Sequence, residues 1–138
     1  MNDTEKILAN IIENQPLCTV ASIDEYGIPH IRSMQSPRIR NGLKEFYLTT
    51  NTSSEKVGMF KKNPNACIYF LKAAAFQGFE LSGKMEILED KNMRKAMWRK
   101  GDEIYYHDGV DDPDYCVLKF TAKNGKYYHD LTVEKFKP

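Results

Sequence analysis

The sequence predicts a mainly β protein with helices, of the α+β class, in which antiparallel strands form a small barrel. More segments show strand-like apolar alternation than helical periodicity. Short turns join several of these strands in sequence order, which favours antiparallel pairing. The helices do not alternate regularly with the strands, as they would in a parallel βαβ sheet. A length of 138 residues fits one domain, expected over residues 1–138.

A helix and a strand hairpin are predicted at the start of the chain. Residues 4–14 place four aliphatic side chains on one helical face, and Pro16 ends the helix. Residues 17–23 and 28–34 alternate as strands around the turn sequence DEYG. Pro29 cannot donate a backbone hydrogen bond, so this end of the second strand is expected at an edge or unpaired.

The middle of the chain predicts a loop over 36–42, a strand over 43–49 and a helix from about residue 53 to 62. Asn63-Pro64 ends this helix, because proline disfavours helix in the residue before it. A nearly all-apolar strand follows at residues 66–71.

The second half of the chain predicts a long alternating strand over 76–88, with Gly83 permitting a bend. A helix is expected within 89–102. Two further strands, 115–121 and 125–131, are predicted to form a last hairpin around Asn124-Gly125.

Composition excludes several classes of protein. A hydrophobic fraction of 41% argues against disorder, and a net charge of +1 gives no field to attract nucleic acid or a membrane surface. No apolar run approaches membrane-spanning length, and the N-terminal sequence MNDTEKILANII is not a signal peptide. Three cysteines, all in apolar strand-like runs, are expected to be buried thiols in a reducing compartment. We therefore expect a cytoplasmic protein with neither nucleic acid nor membrane as a partner.

Common catalytic and nucleotide-binding motifs are not found. The sequence contains no GxGxxG after a strand, no GxxxxGK[ST] and no GxSxG. Its histidines show no metal-ligand spacing, and no metal is predicted. The acidic segment DGVDDPDY, residues 108–115, lacks the EF-hand pattern and is expected to be a solvated turn.

The segment TTNTSSEK, residues 49–56, lies between a strand and a helix and has two interpretations. Thr52 and Glu55 have the spacing of a capping box, in which each side chain accepts the other's backbone amide proton. Alternatively, the helix N-terminus, with Ser54 and Lys56, forms an anion site from amide donors and a positive charge.

Arg32 also has two interpretations. Strand alternation places it on one face with His30 and Met34, where an unpaired guanidinium would be costly to bury. It is expected either to pair with a carboxylate such as Glu45 or to bind a phosphate together with Lys56.

These residues resemble a known family in their order along the chain. YGIPHIRSM, FYLTTNTSSEK, KKNPNACIYF and ELSGKMEILED resemble the pyridoxamine 5'-phosphate oxidase-like family of FMN-binding split barrels, over roughly residues 5–130. The segment YYHDGVDDPDYCVLKF resembles its small, single-domain, general-stress-protein-like branch. The resemblance implies an antiparallel, six- to seven-stranded split β-barrel with flanking helices.

The resemblance also implies a cofactor, FMN, and the residues that bind it. The side chains of Arg32, Ser54 and Lys56 would hold the phosphate, and Thr49 and Thr50 would lie by the ribityl chain or the ring edge. The backbone of the strand would hydrogen-bond the isoalloxazine edge at Ser33, Met34 and Gln35. No catalytic acid or base is predicted, but four side chains are candidates to line a substrate pocket: His30, Trp98, Tyr105 and Tyr106.

The sequence departs from pyridoxamine 5'-phosphate oxidase itself at four places, one of which is Gly78, where that enzyme has a flavin-contacting glutamine. A lysine that binds flavin in that enzyme is absent, and Arg38 is a candidate substitute. Glu55 stands where that enzyme often has a basic residue. An arginine-bearing C-terminal segment is missing after TVEKFKP, so vitamin B6 oxidation is not expected.

The resemblance implies a function that the residues alone do not fix. An FMN-dependent oxidoreductase of an unidentified small molecule is expected, with NAD(P)H as a candidate reductant and a homodimer carrying FMN at its interface. Two alternatives stay open. One is a flavin-binding stress or redox-buffer protein without efficient turnover, and the other is a split barrel that binds deazaflavin or haem.

Overall fold

The computed structural model describes residues 3–138, which form helices and strands in the order α1, β1 to β4, α2, β5, β6, α3, β7 and β8. The helices are α1 (Asp3–Asn14), α2 (Glu55–Lys62) and α3 (Lys91–Met97). The strands are β1 (Leu17–Ile23), β2 (Pro29–Gln35), β3 (Ile39–Asn41), β4 (Glu45–Asn51), β5 (Asn65–Lys72), β6 (Gln77–Leu88), β7 (Tyr115–His129) and β8 (Thr132–Phe136).

All of the strands belong to one antiparallel sheet. Its order is β2-β1-β5-β6-β7-β4-β3, and β8 pairs with the far end of β7. The sheet curls until β2 lies beside β4, but these two strands are not hydrogen-bonded to each other. This open seam makes the barrel a split one and confirms the predicted α+β fold.

Phenylalanine side chains fill the barrel from alternate positions of four strands. Phe70 and Phe79 stack with ring centroids 4.9 Å apart, and Phe46 and Phe120 are also fully buried. Helix α1 buries Leu8, Ile11 and Ile12 against this core, as predicted, but Ile7, which was predicted on the same face, is 43% exposed. Burial of these side chains supplies most of the driving force for folding.

The predicted hairpin around Asn124-Gly125 is wrong, because β7 continues from Tyr115 to His129. Its register against β6 shifts at Gly83, so a bulge rather than a turn occupies this region. The chain reverses later, at Asp130 and Leu131, which both have positive φ. The predicted loop over 36–42 also differs, since Ile39–Asn41 pairs with β4.

The three cysteines lie in strands β1, β5 and β7. Cys18 and Cys116 are buried, Cys67 is half-buried, and all three are free thiols. Burial raises the pKa of Cys18 to about 12. Within residues 3–138, no helix is long and apolar enough to cross a membrane, and no group of His, Cys, Asp and Glu side chains could hold a metal ion.

Candidate functional site

A cleft of about 220 Å³ opens at the seam between β2 and β4. Strand β3 covers only the first half of β4, through Glu45, Phe46 and Tyr47, so the second half has a free edge. Strand β2 pairs only with β1 and also has a free edge. The residues that line the cleft are Ser33, Met34, Gln35, Arg38, Thr49, Thr50, Lys56, Asp102, Tyr105 and Tyr106. Free strand edges offer backbone donors and acceptors to a ligand.

Arg32 lies on the inner face of β2, half-buried, next to the buried Met34. Its Nη1 donates to the carbonyl of Val20, 3.1 Å away, and it forms no ion pair with a described residue. The predicted ion pair between Arg32 and Glu45 is wrong, because the Glu45 carboxylate instead forms an ion pair with Lys119 Nζ at 2.9 Å. The Arg32 guanidinium therefore keeps hydrogen-bonding capacity for a ligand.

The predicted capping box in TTNTSSEK is also wrong. Helix α2 begins at Glu55, and the residue before it, Ser54, makes no side-chain cap but donates its hydroxyl to Asn51 O at 2.7 Å. The Thr52 amide donates to Asp114 O at 2.7 Å. Among the described residues, the amides of Glu55 and Lys56 have no acceptor, as expected for the first turn of a helix. These amides can bind an anion.

The acidic segment 108–115 is a structural support for this turn rather than a solvated loop alone. The Asp114 carboxylate accepts from the Ser53 amide at 2.7 Å and from the Ser53 hydroxyl at 3.1 Å. Arg94 in turn donates to the carbonyls of Val110, Asp112 and Tyr115. The segment thus fixes the start of α2, which no motif in the sequence indicated.

Two cations approach each other beside the cleft. Burial first, and then the positive charge of Arg32, lower the pKa of Lys56. Burial also lowers the pKa of Arg32, while the charge of Glu55 opposes that shift. Lys56 forms no hydrogen bond or ion pair with any residue of 3–138. Two partly buried cations with one nearby carboxylate fit a dianionic group such as a phosphate.

Arg38 is not a free cation. Its guanidinium donates to both carboxylate oxygens of Asp102, at 2.6 and 2.9 Å, and to Met97 O at 2.8 Å. These hydrogen bonds hold the pKa of Asp102 below its usual range. Arg38 thus does not stand in for the missing flavin-binding lysine as a free side chain. Sequence reasoning missed Asp102, which lies in a turn that carries no recognisable motif.

Aromatic side chains also line the cleft. Tyr105 is exposed, and burial raises the pKa of the half-buried Tyr106 to about 12. Behind them, the ring centroid of Tyr115 lies 5.2 Å from that of Tyr106 and 5.1 Å from that of Trp98. Trp98 and His30 do not line the cleft, and His30 instead pairs with Asp24 at 2.9 Å.

The structure brings most of the sequence-predicted site together. Six of the eight residues line the cleft: Ser33, Met34, Gln35, Thr49, Thr50 and Lys56. Arg32 and Ser54 lie beside it without lining it. The arrangement joins an anion-binding helix mouth to a slot between strand edges and tyrosines. Its cations and amide donors suit an anionic group, and its volume of about 220 Å³ encloses only part of a larger ligand.

An open antiparallel barrel with a cleft at its seam places the protein in the class of split barrels. The family model described as pyridoxamine 5'-phosphate oxidase matches residues 4–129, and the chain belongs to this family. No curated protein matches the sequence.

Solved structures support this assignment. A protein related to general stress protein 26 of Bacillus subtilis, from Clostridium acetobutylicum, is 40% identical, with a TM-score of 0.88 over 99% of this chain and 96% of that one. A pyridoxamine 5'-phosphate oxidase-related, FMN-binding protein from Nostoc punctiforme is 15% identical, with a TM-score of 0.76 over 100% and 98%. A haem-binding protein from Mycobacterium smegmatis is also 15% identical, with a TM-score of 0.78 over 99% and 59%. The last two show likeness of fold alone.

Proposed function

We propose that the protein binds FMN in the cleft between β2 and β4 and is an FMN-dependent oxidoreductase of a small molecule. The observation that carries the proposal is the pair of partly buried cations, Arg32 and Lys56, beside the unpaired amides of α2. The FMN phosphate carries nearly two negative charges at neutral pH, which these groups can neutralise. FMN would supply hydride or electron transfer, and the protein would supply position and electrostatics.

Each part of the cleft has a proposed contact. Arg32, Lys56 and the Ser54 hydroxyl bind the phosphate, and each charge-assisted hydrogen bond contributes about 1.5–3 kcal/mol. Thr49 and Thr50 on β4 contact the ribityl chain or the ring edge. The backbone of Ser33, Met34 and Gln35, on the free edge of β2, hydrogen-bonds the isoalloxazine edge.

The chemistry of the cleft favours a flavin over haem. Its lining contains neither histidine nor cysteine, and although Met34, Tyr105 and Tyr106 are residue types that can ligate haem iron, Lys56 is a cation suited to the phosphate of FMN. We name no catalytic acid or base, and NAD(P)H is the proposed reductant. A flavin-binding redox buffer without efficient turnover is the second candidate, favoured by 40% identity to a general stress protein 26 relative.

We further propose a cytoplasmic homodimer with FMN at its interface. A volume of about 220 Å³ is below the roughly 300–1,000 Å³ typical of small-molecule sites, so one chain encloses only part of a flavin. A second copy against the seam would complete the enclosure.

Titration of the ligand-free protein with FMN tests the proposal, because flavin fluorescence and absorbance change on binding. We expect Arg32→Ala to weaken binding by about ten- to a hundredfold, the loss of one or two charge-assisted contacts. Arg40→Ala is the matched control, since Arg40 pairs with Glu13 at 2.7 Å outside the cleft lining. Equal affinity in the parent and the Arg32 variant would remove Arg32 from the site.

Parallel titrations with haem and deazaflavin decide the cofactor. Tighter binding of either than of FMN would overturn the FMN assignment. Steady-state NAD(P)H oxidation by the FMN-loaded protein, measured with a panel of acceptors, separates an oxidoreductase from a redox buffer. Binding of FMN without turnover would favour the redox buffer.

A further inference from the structure

Arg38 connects the strands that line the cleft to the segment that carries the cleft's tyrosines. Its backbone amide donates to Tyr47 O on β4 at 3.0 Å, and its Nη2 donates to Gln35 Oε1, at the end of β2, at 3.1 Å. Its Nη1 donates to Met97 O, at the end of α3, at 2.8 Å. One side chain therefore joins the strand wall to the start of the segment 98–112, which we call the aromatic segment because it carries Trp98, Tyr105 and Tyr106.

Asp102 anchors the other end of this connection. Its carboxylate accepts from Arg38 Nη1 at 2.6 Å, from Arg38 Nη2 at 2.9 Å and from the Arg99 amide at 2.9 Å. The side chains of Arg38 and Asp102 are only 8% and 10% exposed. Three residues after Asp102, the aromatic segment reaches Tyr105 and Tyr106 at the cleft.

We propose that Arg38 and Asp102 are positioning residues, which hold Gln35 and Tyr106 at a fixed separation across the cleft so that a planar ring fits between the two walls. The inference rests on the proposed function only for the identity of that ring, the isoalloxazine of FMN. The pair itself does not touch the phosphate end of the site.

A contribution to stability alone does not explain this pair. A buried ion pair costs desolvation free energy, and apolar residues of similar volume are often as stabilising. A bidentate guanidinium–carboxylate contact adds direction, because its planar fork fixes both the distance and the angle between the groups. Here the groups that Arg38 joins are Gln35 on β2 and Asp102 in the aromatic segment, and all three residues line the cleft.

Trp98 makes the proposal testable without any ligand. It is the only tryptophan in the chain, and it lies in the aromatic segment against Tyr115. Its accessibility to acrylamide, measured by fluorescence quenching, therefore reports whether the aromatic segment is held in place. FMN affinity, measured by titration, reports whether the cleft keeps its width.

Three single variants, one double variant and one control separate a positioning role from an effect of charge. We expect Arg38→Met and Asp102→Asn to raise the quenching of Trp98 and to weaken FMN binding by at least about tenfold, as loss of a buried charge contact does. Arg38→Lys keeps the charge but loses the fork, so it should resemble Arg38→Met. Arg40→Met should change neither quantity. The double variant, Arg38→Met with Asp102→Asn, should bind FMN as tightly as the weaker-binding of the two single variants, since the two residues act as a unit.

The outcomes are decisive in each case. Parent-like quenching and affinity in Arg38→Met or Asp102→Asn would overturn the proposal, as would full retention of affinity by Arg38→Lys. If Arg38→Met does not fold, Asp102→Asn decides, because it preserves the shape of the side chain. If the parent does not bind FMN, the proposed function fails, and Trp98 quenching then decides the positioning role by itself.

Discussion

The charge of Lys56 destabilises the ligand-free protein but would stabilise a bound anion. Burial and the charge of Arg32 lower the pKa of Lys56, so its protonation costs more in the folded protein than in the unfolded chain. This cost is fully present at pH values below the folded pKa and is relieved as pH rises through it. At neutral pH the folded protein therefore carries a cation that destabilises it until an anion binds.

We predict that Lys56→Met stabilises the ligand-free protein while it weakens FMN binding. The apolar side chain removes the partly buried charge, and the Tm of the ligand-free protein should rise by no more than a few degrees, because solvent screens a half-exposed charge. FMN affinity should fall by roughly ten- to a hundredfold. Thermal unfolding and FMN titration measure the two effects.

Lys61→Met is the matched control, because Lys61 is an exposed lysine of the same helix. It should leave the Tm and the FMN affinity nearly unchanged. A lower Tm in Lys56→Met than in the parent, without ligand, would show that Lys56 stabilises the free protein and would contradict the argument.

His129 predicts a pH dependence at the end of β7. Its ring lies between carboxylates, with Nδ1 3.2 Å from Asp130 and Nε2 3.3 Å from Glu134. Asp130 first, and then Glu134, raise the pKa of His129 above 6.5. The folded protein holds this proton more firmly than the unfolded chain does. The stabilising contribution is therefore complete below about pH 6.5 and is lost as pH rises through the folded pKa.

We expect β8 to exchange its amide protons more readily above that pKa. Hydrogen-exchange protection factors of residues 132–136, measured at pH 6 and pH 8.5, should fall with pH in the parent. In His129→Asn they should not depend on pH in this range. Equal pH dependence in both proteins would show that His129 does not couple to the hairpin.

At the scale of the elements, two glycines differ in what surrounds them. A Cβ at Gly83, at the register shift between β6 and β7, would lie 2.0 Å from the carbonyl oxygen of Thr121. A Cβ at Gly58, in α2, would meet no atom within 4 Å. The first glycine permits close approach of two backbones, whereas the second only weakens a helix.

We predict opposite effects of the same substitution at these two positions. Gly83→Ala should lower the free energy of unfolding by about 2–4 kcal/mol, because backbone must move to relieve the clash. Gly58→Ala should raise it by about 0.5–1 kcal/mol through helix propensity. Urea unfolding measures both. A neutral Gly83→Ala would mean that the bulge relaxes without cost.

The sequence predicts elements where one physical signal dominates. The apolar periodicity of α1 and the alternation of β1, β4 and β6 are strong, and the structure has these elements nearly as expected. The prediction of a turn fails at Asn124-Gly125, a typical turn pair, because Gly125 instead makes room for the ring of Phe136 within the sheet. The ring of Phe136 would lie 2.3 Å from a Cβ at that position. Such a tertiary requirement leaves no local pattern.

In the candidate site, too, local sequence signals were predicted and tertiary contacts were missed. Strand alternation and helix-mouth chemistry pointed to Arg32 and Lys56 because both signals are local in sequence. Asp102 and Asp114 were missed, since each acts on a partner more than 60 positions away, Arg38 and Ser53 respectively. Their contacts depend on how the barrel closes, which a single sequence does not encode in any recognisable spacing.

At the scale of the whole molecule, one chain leaves both its cleft and an apolar face open. The outward faces of β1, β2 and β5 expose Leu17, Ile31, Tyr69 and Leu71, and Ile31 is 72% exposed. The face adjoins the free edge of β2, which forms one wall of the cleft. Exposed apolar side chains on three neighbouring strands favour an interface between proteins.

We predict that this face forms the homodimer interface and that dimerisation is required for tight FMN binding. Ile31→Lys should shift sedimentation at micromolar concentration towards the monomer, because burying an ammonium at an apolar interface is costly. FMN affinity should fall with it by at least about tenfold. The added positive charge would by itself favour a phosphate, so a weaker affinity reports the lost partner rather than electrostatics. Leu131→Lys, at the exposed tip of the β7–β8 hairpin, is the control and should stay dimeric. If the parent protein sediments as a monomer and still binds FMN tightly, the prediction is contradicted.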